Sequence, residues 1–292
     1  MLTADLRQAI GRAAGTAVDP GLRSTITTGR YTSTAPFQLP GTGAELAAKL
    51  SEEPWIASAE LTGPGYLTIQ VTRQALESVP ARIVAAGADC VRSQALTGTV
   101  ATPPDPLTLD TWPHARDSLA THLTTRLATA AGAALPPAPP AAARPIQPSR
   151  SMSHRPPSMP VDVTSTGIES AGAGGVMGEA VGWAGEDAVL FALARVPPDR
   201  TPRIDAAKIA GHLLDNPAYA VRYAHSRAAS VPRWAAAIRP GLVAGLDREE
   251  LALAYQLSWL PERVAIAARR GRPDEFARYL EELAYGIILR IG

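Results

Sequence analysis

The chain has 292 residues, 46% of them hydrophobic, with 28 basic and 27 acidic side chains. This length allows about two domains, and the near-zero net charge excludes a general attraction to nucleic acid, so any such contact must be local. No apolar run reaches the length of a membrane span, and the single cysteine, Cys90, excludes an internal disulfide framework or a cysteine zinc site. We therefore expect a cytoplasmic protein without membrane contact, metal or cofactor.

Residues 1–97 are predicted to form a small α+β domain with a hairpin sheet. Apolar residues at helical spacing, Gly-Pro-Gly turn residues and polar capping residues carry this prediction. In chain order, the predicted elements are a helix over 3–14 closed by Gly15, a helix from Thr42 to Leu50 with Glu45 in a capping box, strands over 56–62 and 66–71, and a helix capped by Thr72 that continues to about Ala86.

Two motifs in this region resemble the added N-terminal domain of arginyl-tRNA synthetases. The run from Gly29 to Leu39 has the family's Gly-x-Tyr spacing followed by Phe-x-Leu, with Arg30 in place of the usual Asp, and Gly63-Pro-Gly-Tyr66 matches a second motif. In the family this domain contacts the outer corner of tRNA. The resemblance implies RNA contacts for Arg30 and Tyr31, while packing of Tyr31 in a core is the alternative.

Residues 98–180 are predicted to be a linker with one helix, over about 113–132. The segment around this helix resembles the synthetases' His-x-Gly-His signature, with His114 as the second His but Thr111 and Pro113 in place of the first His and the Gly. Pro113 supplies neither the N–H nor the room that a nucleotide needs, which argues against catalysis. An ordinary linker helix is the alternative reading.

The remainder of the linker, residues 133–178, is rich in Pro, Ala and Gly and is predicted to be mostly disordered. The synthetases' Lys-Met-Ser-Lys-type loop is also missing, because Lys49 and Lys208 are the only lysines in the sequence. We therefore expect a pseudoenzyme that lacks both catalytic signatures and has no catalytic residues.

Residues 181–292 are predicted to form an antiparallel α-helical bundle. A long helix begins at Asn216-Pro217 and ends near Arg239, and Asp247 with Glu250 forms a capping box for the next helix. The order Asn-Pro-x-Tyr followed by Tyr-Ala-His-x-Arg resembles the DALR-type anticodon-binding domain of the same synthetases.

This second resemblance implies that the bundle contacts tRNA. The implied contacts are two tyrosines and several arginines: Tyr219, Arg222, Tyr223, Arg227, Arg233, Arg269 and Arg270. Packing between helices is the alternative for the tyrosines, and a solvated helix end explains Arg269 and Arg270 equally well.

The sequence thus predicts a multidomain α+β and all-α protein that binds tRNA, with arginine tRNA suspected, and has no aminoacylation activity of its own. The alternative is an interaction module that docks on a genuine synthetase or another protein without binding RNA.

Overall fold

The computed structural model describes residues 1–103, 111–135, 173–235 and 245–291, of which 173–177, 232–235 and 291 are described by their backbone alone. Most of the segment predicted to be disordered, and the expected end of the long helix near Arg239, lie outside these residues.

The N-terminal part is an α+β unit, as the sequence predicts, built around four antiparallel strands in the order β1-β2-β4-β3. Tyr31 on β2 lies opposite Ile69 on β4. The elements are α1 (Leu2–Ala14), β1 (Arg23–Ser24), β2 (Arg30–Ser33), α2 (Ala35–Gln38), α3 (Gly43–Ser51), β3 (Ile56–Thr62), β4 (Tyr66–Val71), α4 (Arg73–Glu77) and α5 (Val79–Ala86). The predicted hairpin is β3–β4, and the sequence analysis missed β1 and β2.

Local chemistry accounts for most of these boundaries. Gly15 ends α1 with φ 66°, a left-handed conformation that glycine adopts without a Cβ clash. Thr72 caps α4 by accepting a hydrogen bond from the Ala75 amide. The predicted capping box at Thr42 is wrong, because the Thr42 hydroxyl donates to the Leu39 carbonyl instead of accepting from the helix. The predicted helix after Thr72 is divided at Ser78 into α4 and α5.

The described residues of the region that the sequence assigns to a linker include one whole helix and the start of another. The first, α6 (Trp112–Ala130), is capped by Thr111, whose hydroxyl accepts from the His114 amide. The second, α7 (Ala173–Ala184), begins inside the segment predicted to be disordered. The last residues of that segment, 173–178, are therefore helical where the sequence predicts disorder. Just after the segment, Ala180 is buried in an apolar cluster with Ala115 and Leu119 of α6.

The C-terminal part is a helical bundle, as predicted. Its helices are α8 (Glu186–Ala194), α9 (Ala206–Ala210), α10 (Pro217–Ala235), α11 (Arg248–Ser258), α12 (Leu260–Arg270) and α13 (Pro273–Ile291). The capping box of Asp247 and Glu250 forms at the start of α11. Helix α10 packs along α13 and also touches α8 and α9, while α6 packs against α12 and α8.

The N-terminal sheet and the C-terminal helices share one hydrophobic core. Tyr31 of β2 is 0% exposed and packs against Tyr255 and Trp259, with ring centroids 5.1 and 5.2 Å away. A second link between the two parts is made by Arg7 of α1. Its Nη2 donates hydrogen bonds of 3.0 and 2.9 Å to Glu262, which is 2% exposed. The expected regions 1–97 and 181–292 are therefore in intimate contact.

None of the helices in the described ranges is long and apolar enough to cross a membrane. In the same part of the chain, no cluster of three or more His, Cys, Asp or Glu side chains could hold a metal ion.

Candidate nucleic-acid interface

The start of α10 is held in place by a buried asparagine. Asn216 is 3% exposed; its Oδ1 accepts from the Ala218 amide at 3.1 Å, and its Nδ2 donates to the carbonyls of Ile209 and Gly211, both at 2.7 Å. A proline follows at the first helical position, where a missing N–H costs nothing. The Asn-Pro pair therefore fixes both the start of the helix and the turn that leads into it.

One face of α10 carries small, buried side chains, and the neighbouring face carries aromatic side chains. Ala220 and Ala224 are buried, at a four-residue spacing that lets α10 approach its partner helices closely. Tyr219, Tyr223 and Arg227 follow each other at the same spacing and are partly exposed. Residues four apart lie above one another on a helix, so these three side chains form a stripe.

The rings of this stripe stack into a continuous array, which we call the aromatic stack (His212, Tyr219, Tyr223 and Arg227). The His212 and Tyr219 rings are 5.4 Å apart and 14° from parallel, and the Tyr219 and Tyr223 rings are 5.8 Å apart and 22° from parallel. The Arg227 guanidinium carbon lies 5.8 Å from the Tyr223 ring centroid, within the range of a cation–π contact. The stack joins the turn before α10 to the second turn of that helix and beyond.

Two further arginines predicted to contact tRNA lie on α10. Arg222 is exposed and directly precedes Tyr223 in the chain. A planar guanidinium on a long stem suits a phosphate contact, so Arg222 adds a charge next to the rings. Arg233 belongs to the same helix, but its side chain lies outside the described residues.

Arg269 and Arg270 are exposed at the C-terminal end of α12, where their positive charges favourably meet the helix dipole. Arg269 pairs with Asp19 at 3.4 Å, and Arg270 pairs with Glu275 at 3.3 Å. Ion pairs between exposed side chains contribute about 0–1 kcal/mol, so a phosphate could replace either carboxylate at little cost.

Asp19 also links this helix end to α1. Burial raises the pKa of the Asp19 carboxyl, but hydrogen bonds from the Gly21 amide and the Arg7 guanidinium outweigh it and hold the pKa below its usual value. Asp19 is therefore ionised at neutral pH and already neutralises part of the charge around Arg269. The positive potential at this end of α12 is weaker than its arginines suggest.

The two predicted contacts in the N-terminal part fall in different environments. Tyr31 is fully buried and its hydroxyl bonds Ser258 Oγ at 2.7 Å, so its ring is closed to a nucleobase. The sequence-based expectation of an RNA contact is wrong for Tyr31, and the alternative of a core aromatic describes it. Arg30 is exposed on β2, and its carbonyl accepts a hydrogen bond from the Tyr255 hydroxyl.

The predicted contacts thus divide among α10, the end of α12 and the start of strand β2. Among those whose side chains are described, only Tyr219, Tyr223 and Arg227 form a continuous array. His212 belongs to this array, and the sequence analysis missed it. His212 lies in the turn before α10, outside the helix, so helical spacing does not place it next to Tyr219. The turn held by Asn216 brings the two rings together.

The helix that resembles the catalytic signature is held by packing contacts. Arg116 is buried on α6, and its Nη1 donates to the Pro197 carbonyl at 2.9 Å. Ala115 and Leu119 are buried against α7 and α8. This face of α6 therefore stabilises the helical part of the molecule.

The sequence of this region is similar to a known protein family. Residues 221–287, a range that includes Arg222, Tyr223 and Arg227, match the family model of the DALR anticodon binding domain. The chain is 40% identical over 111 residues to the arginine–tRNA ligase of Bifidobacterium longum strain DJO10A, covering 34% of this chain and 17% of the ligase. It is 37% identical over 115 residues to that of Micrococcus luteus, covering 36% and 20%, and 35% identical over 119 residues to that of Rhodospirillum rubrum, again covering 36% and 20%.

These alignments span no more than about a fifth of the length of the curated relatives. No solved structure matches the chain. The chain carries a DALR anticodon-binding domain in its C-terminal part and resembles arginine–tRNA ligases over about a third of its length.

Proposed function

We propose that the protein binds tRNA, with arginine tRNA as its ligand, and does not itself attach the amino acid. The observation that carries the proposal is the aromatic stack on α10, which overlaps the region matched by the anticodon-binding family. Single-stranded loops of RNA are recognised largely by stacking of unpaired bases on aromatic rings and guanidinium planes. An anticodon loop supplies such bases.

Exposed arginines supply the electrostatic part of the interaction. Arg222 lies beside the stack, and Arg269 and Arg270 provide a second positive site at the end of α12. Contacts between arginines and phosphates position an RNA without reading its sequence. The near-balance of 28 basic and 27 acidic side chains means that these local groups, and not the net charge, must produce the affinity.

The residues of α6 support a protein that does not catalyse aminoacylation. Thr111 and Pro113 stand at the start of α6, where the synthetases' His-x-Gly-His signature has its first His and its Gly. Arg116 is buried and bound to the Pro197 carbonyl. A proline in the first turn removes the backbone N–H that would approach a nucleotide phosphate. Lys49 and Lys208, the only lysines in the sequence, are too far apart in sequence to form a Lys-x-x-Lys phosphate loop.

Binding is tested with a labelled transcript of arginine tRNA and the full-length protein. Removal of the Tyr223 ring or the Arg222 charge, in Y223A and R222A, is expected to weaken binding by about 1–3 kcal/mol for the ring and less for the charge. The matched control is Arg92→Ala, an exposed arginine that pairs locally with Asp89 at 2.8 Å. Equal affinities of Y223A, R222A, R92A and the unmodified protein would contradict an RNA site on α10.

Catalysis is tested separately, by arginine-dependent exchange between ATP and pyrophosphate in the purified protein. We expect no exchange above background. Measurable exchange would contradict the noncatalytic part of the proposal and leave the tRNA site untouched.

A second candidate, docking on another protein, is favoured by a group of exposed apolar side chains beside the stack. Leu213, Leu214 and Tyr285 are all substantially exposed, Leu289 is 84% exposed one turn after Tyr285, and the Tyr285 hydroxyl donates to the Leu214 carbonyl at 2.8 Å. Adjacent exposed apolar groups are typical of protein interfaces.

The two candidates differ in their response to substitution. Leu289→Ser is expected to leave tRNA affinity unchanged if the aromatic stack binds RNA. Under the docking candidate, the same substitution abolishes capture of a purified arginine–tRNA ligase, while tRNA fails to bind even at low salt.

A further inference from the structure

The order of the aromatic stack leaves its members unequally available to a ligand. Tyr219 lies between His212 and Tyr223, and Tyr223 lies between Tyr219 and the Arg227 guanidinium. Each tyrosine thus has neighbours along the stack on both sides. A nucleobase that lay flat on either tyrosine would have to displace one of these neighbours.

His212 is the aromatic member at the end of the stack. His212 is exposed, and its ring is stacked on the Tyr219 ring, 14° from parallel, so one face is against Tyr219 and the other is directed away from the stack. This outer face continues the stack toward solvent. A base placed there would extend the array by one ring without displacing a side chain.

The turn that carries His212 is fixed on both sides. On one side, the buried Asn216 amide donates to the carbonyls of Ile209 and Gly211, each at 2.7 Å. On the other side, the Tyr285 hydroxyl of α13 donates to the Leu214 carbonyl at 2.8 Å. A ring held in this way loses little conformational entropy when a ligand binds, which favours its use as a contact surface.

We propose that one unpaired nucleobase of the bound RNA stacks on the outer face of His212, and that Asn216 acts as the positioning residue for this contact. The proposal rests on the tRNA-binding function proposed above. Arg222 is exposed on α10, three residues after Tyr219, and adds a positive charge for a backbone phosphate. Tyr219 and Tyr223 then support the His212 ring, so the loss of either tyrosine ring also weakens the base contact.

Substitution of His212 tests the contact directly. His212→Ala is expected to weaken binding of the arginine tRNA transcript by about 5- to 100-fold, the usual effect of removing one base-stacking ring. His212→Trp, which keeps a planar ring, is expected to bind at least as tightly as the unmodified protein. His114→Ala removes another exposed imidazole, on α6, and is the matched control with no expected effect.

A spectroscopic measurement separates stacking from a general loss of affinity. Transcripts carry 2-aminopurine at single anticodon-loop positions, and stacking of this base quenches its fluorescence. At saturating protein, one position is expected to be quenched by the unmodified protein and by H212W but not by H212A.

The outcomes identify which statement fails. If the unmodified protein binds no tRNA, both the proposed function and this inference are wrong. If it binds, but H212A binds equally well and quenches the same position, only the inference about His212 is overturned.

Discussion

Tyr31 lies where the N-terminal sheet meets the C-terminal helices, with its ring against Tyr255 and Trp259. Ser258 Oγ donates to the Tyr255 carbonyl, so the Tyr31 hydroxyl is the donor in its 2.7 Å bond to Ser258. Burial raises the pKa of Tyr31 far above its ordinary value, and the phenol is neutral at all physiological pH values. Its role is to join two parts of the core.

Tyr31→Phe removes this hydrogen bond and keeps the ring. We expect a loss of about 1 kcal/mol in the free energy of unfolding, measured by urea denaturation, and an unchanged affinity for tRNA. Tyr31→Ala, which also leaves a cavity, is expected to lose about 3–5 kcal/mol. A Tyr31→Phe protein that is fully stable but binds tRNA weakly would contradict the structural role.

Asp274 is expected to contribute to the acid dependence of stability. The residue is buried, and both of its oxygens accept from Arg272, at 2.8 and 2.9 Å. Burial raises the pKa of this carboxyl, but the hydrogen bonds and charges of Arg272 and Arg278 outweigh it, so the folded-state pKa lies below the ordinary value.

A lowered folded-state pKa stabilises the protein above the ordinary Asp pKa of about 4, and this contribution is lost as the pH falls through the folded-state pKa. Asp274→Asn is therefore expected to be less stable than the unmodified protein at neutral pH, with a difference that shrinks on acidification. The measurement is urea denaturation across that pH range. A difference that stays constant or grows toward acid pH would contradict the assignment.

At the scale of elements, N-capping distinguishes helix starts that look alike in sequence. Thr72 and Thr42 both precede predicted helices, yet only the Thr72 hydroxyl accepts from a helical amide. Thr72→Ala is expected to cost about 1 kcal/mol in the free energy of unfolding. Thr42→Ala is the control and is expected to cost less than about 0.5 kcal/mol. Equal costs in thermal or urea denaturation would contradict the difference between the two caps.

The elements that could be predicted are those whose own residues determine them. The sequences of strands β3 and β4 alternate or are rich in β-branched residues, and a Gly-Pro-Gly turn joins them, so local chemistry predicts the hairpin. The capping box likewise predicts the start of α11. Strands β1 and β2 were missed because β1 has only two residues, and because β2 pairs with β4, which lies far along the chain. The same limit applies to His212, whose place in the stack depends on hydrogen bonds made by Asn216.

At the scale of the whole molecule, the N-terminal sheet and helices α11 to α13 are built around one core. Tyr31, Tyr255, Trp259 and Tyr279 belong to the same buried cluster, and Arg7 bridges to Glu262 at its edge. The prediction of separate α+β and helical regions followed from the composition of the segment between them. The sequence could not predict the shared core, because contacting residues such as Tyr31 and Ser258 are 227 positions apart in sequence.

The shared core predicts that these two regions unfold together. In hydrogen exchange at increasing urea concentrations, amides of β4 and α12 are expected to merge into the same unfolding transition, with the same free energy. Loss of protection in α12 while β4 keeps its full protection would contradict a cooperative joint.

Binding of arginine tRNA by a local site, and not by net charge, is tested most directly by fluorescence anisotropy. A labelled arginine tRNA transcript is titrated with the full-length protein at about 50 and 200 mM salt. We expect saturable binding that weakens with salt as a few phosphate contacts require, roughly 10-fold over this range for two to three arginines. Absence of binding at the lower salt concentration would contradict it.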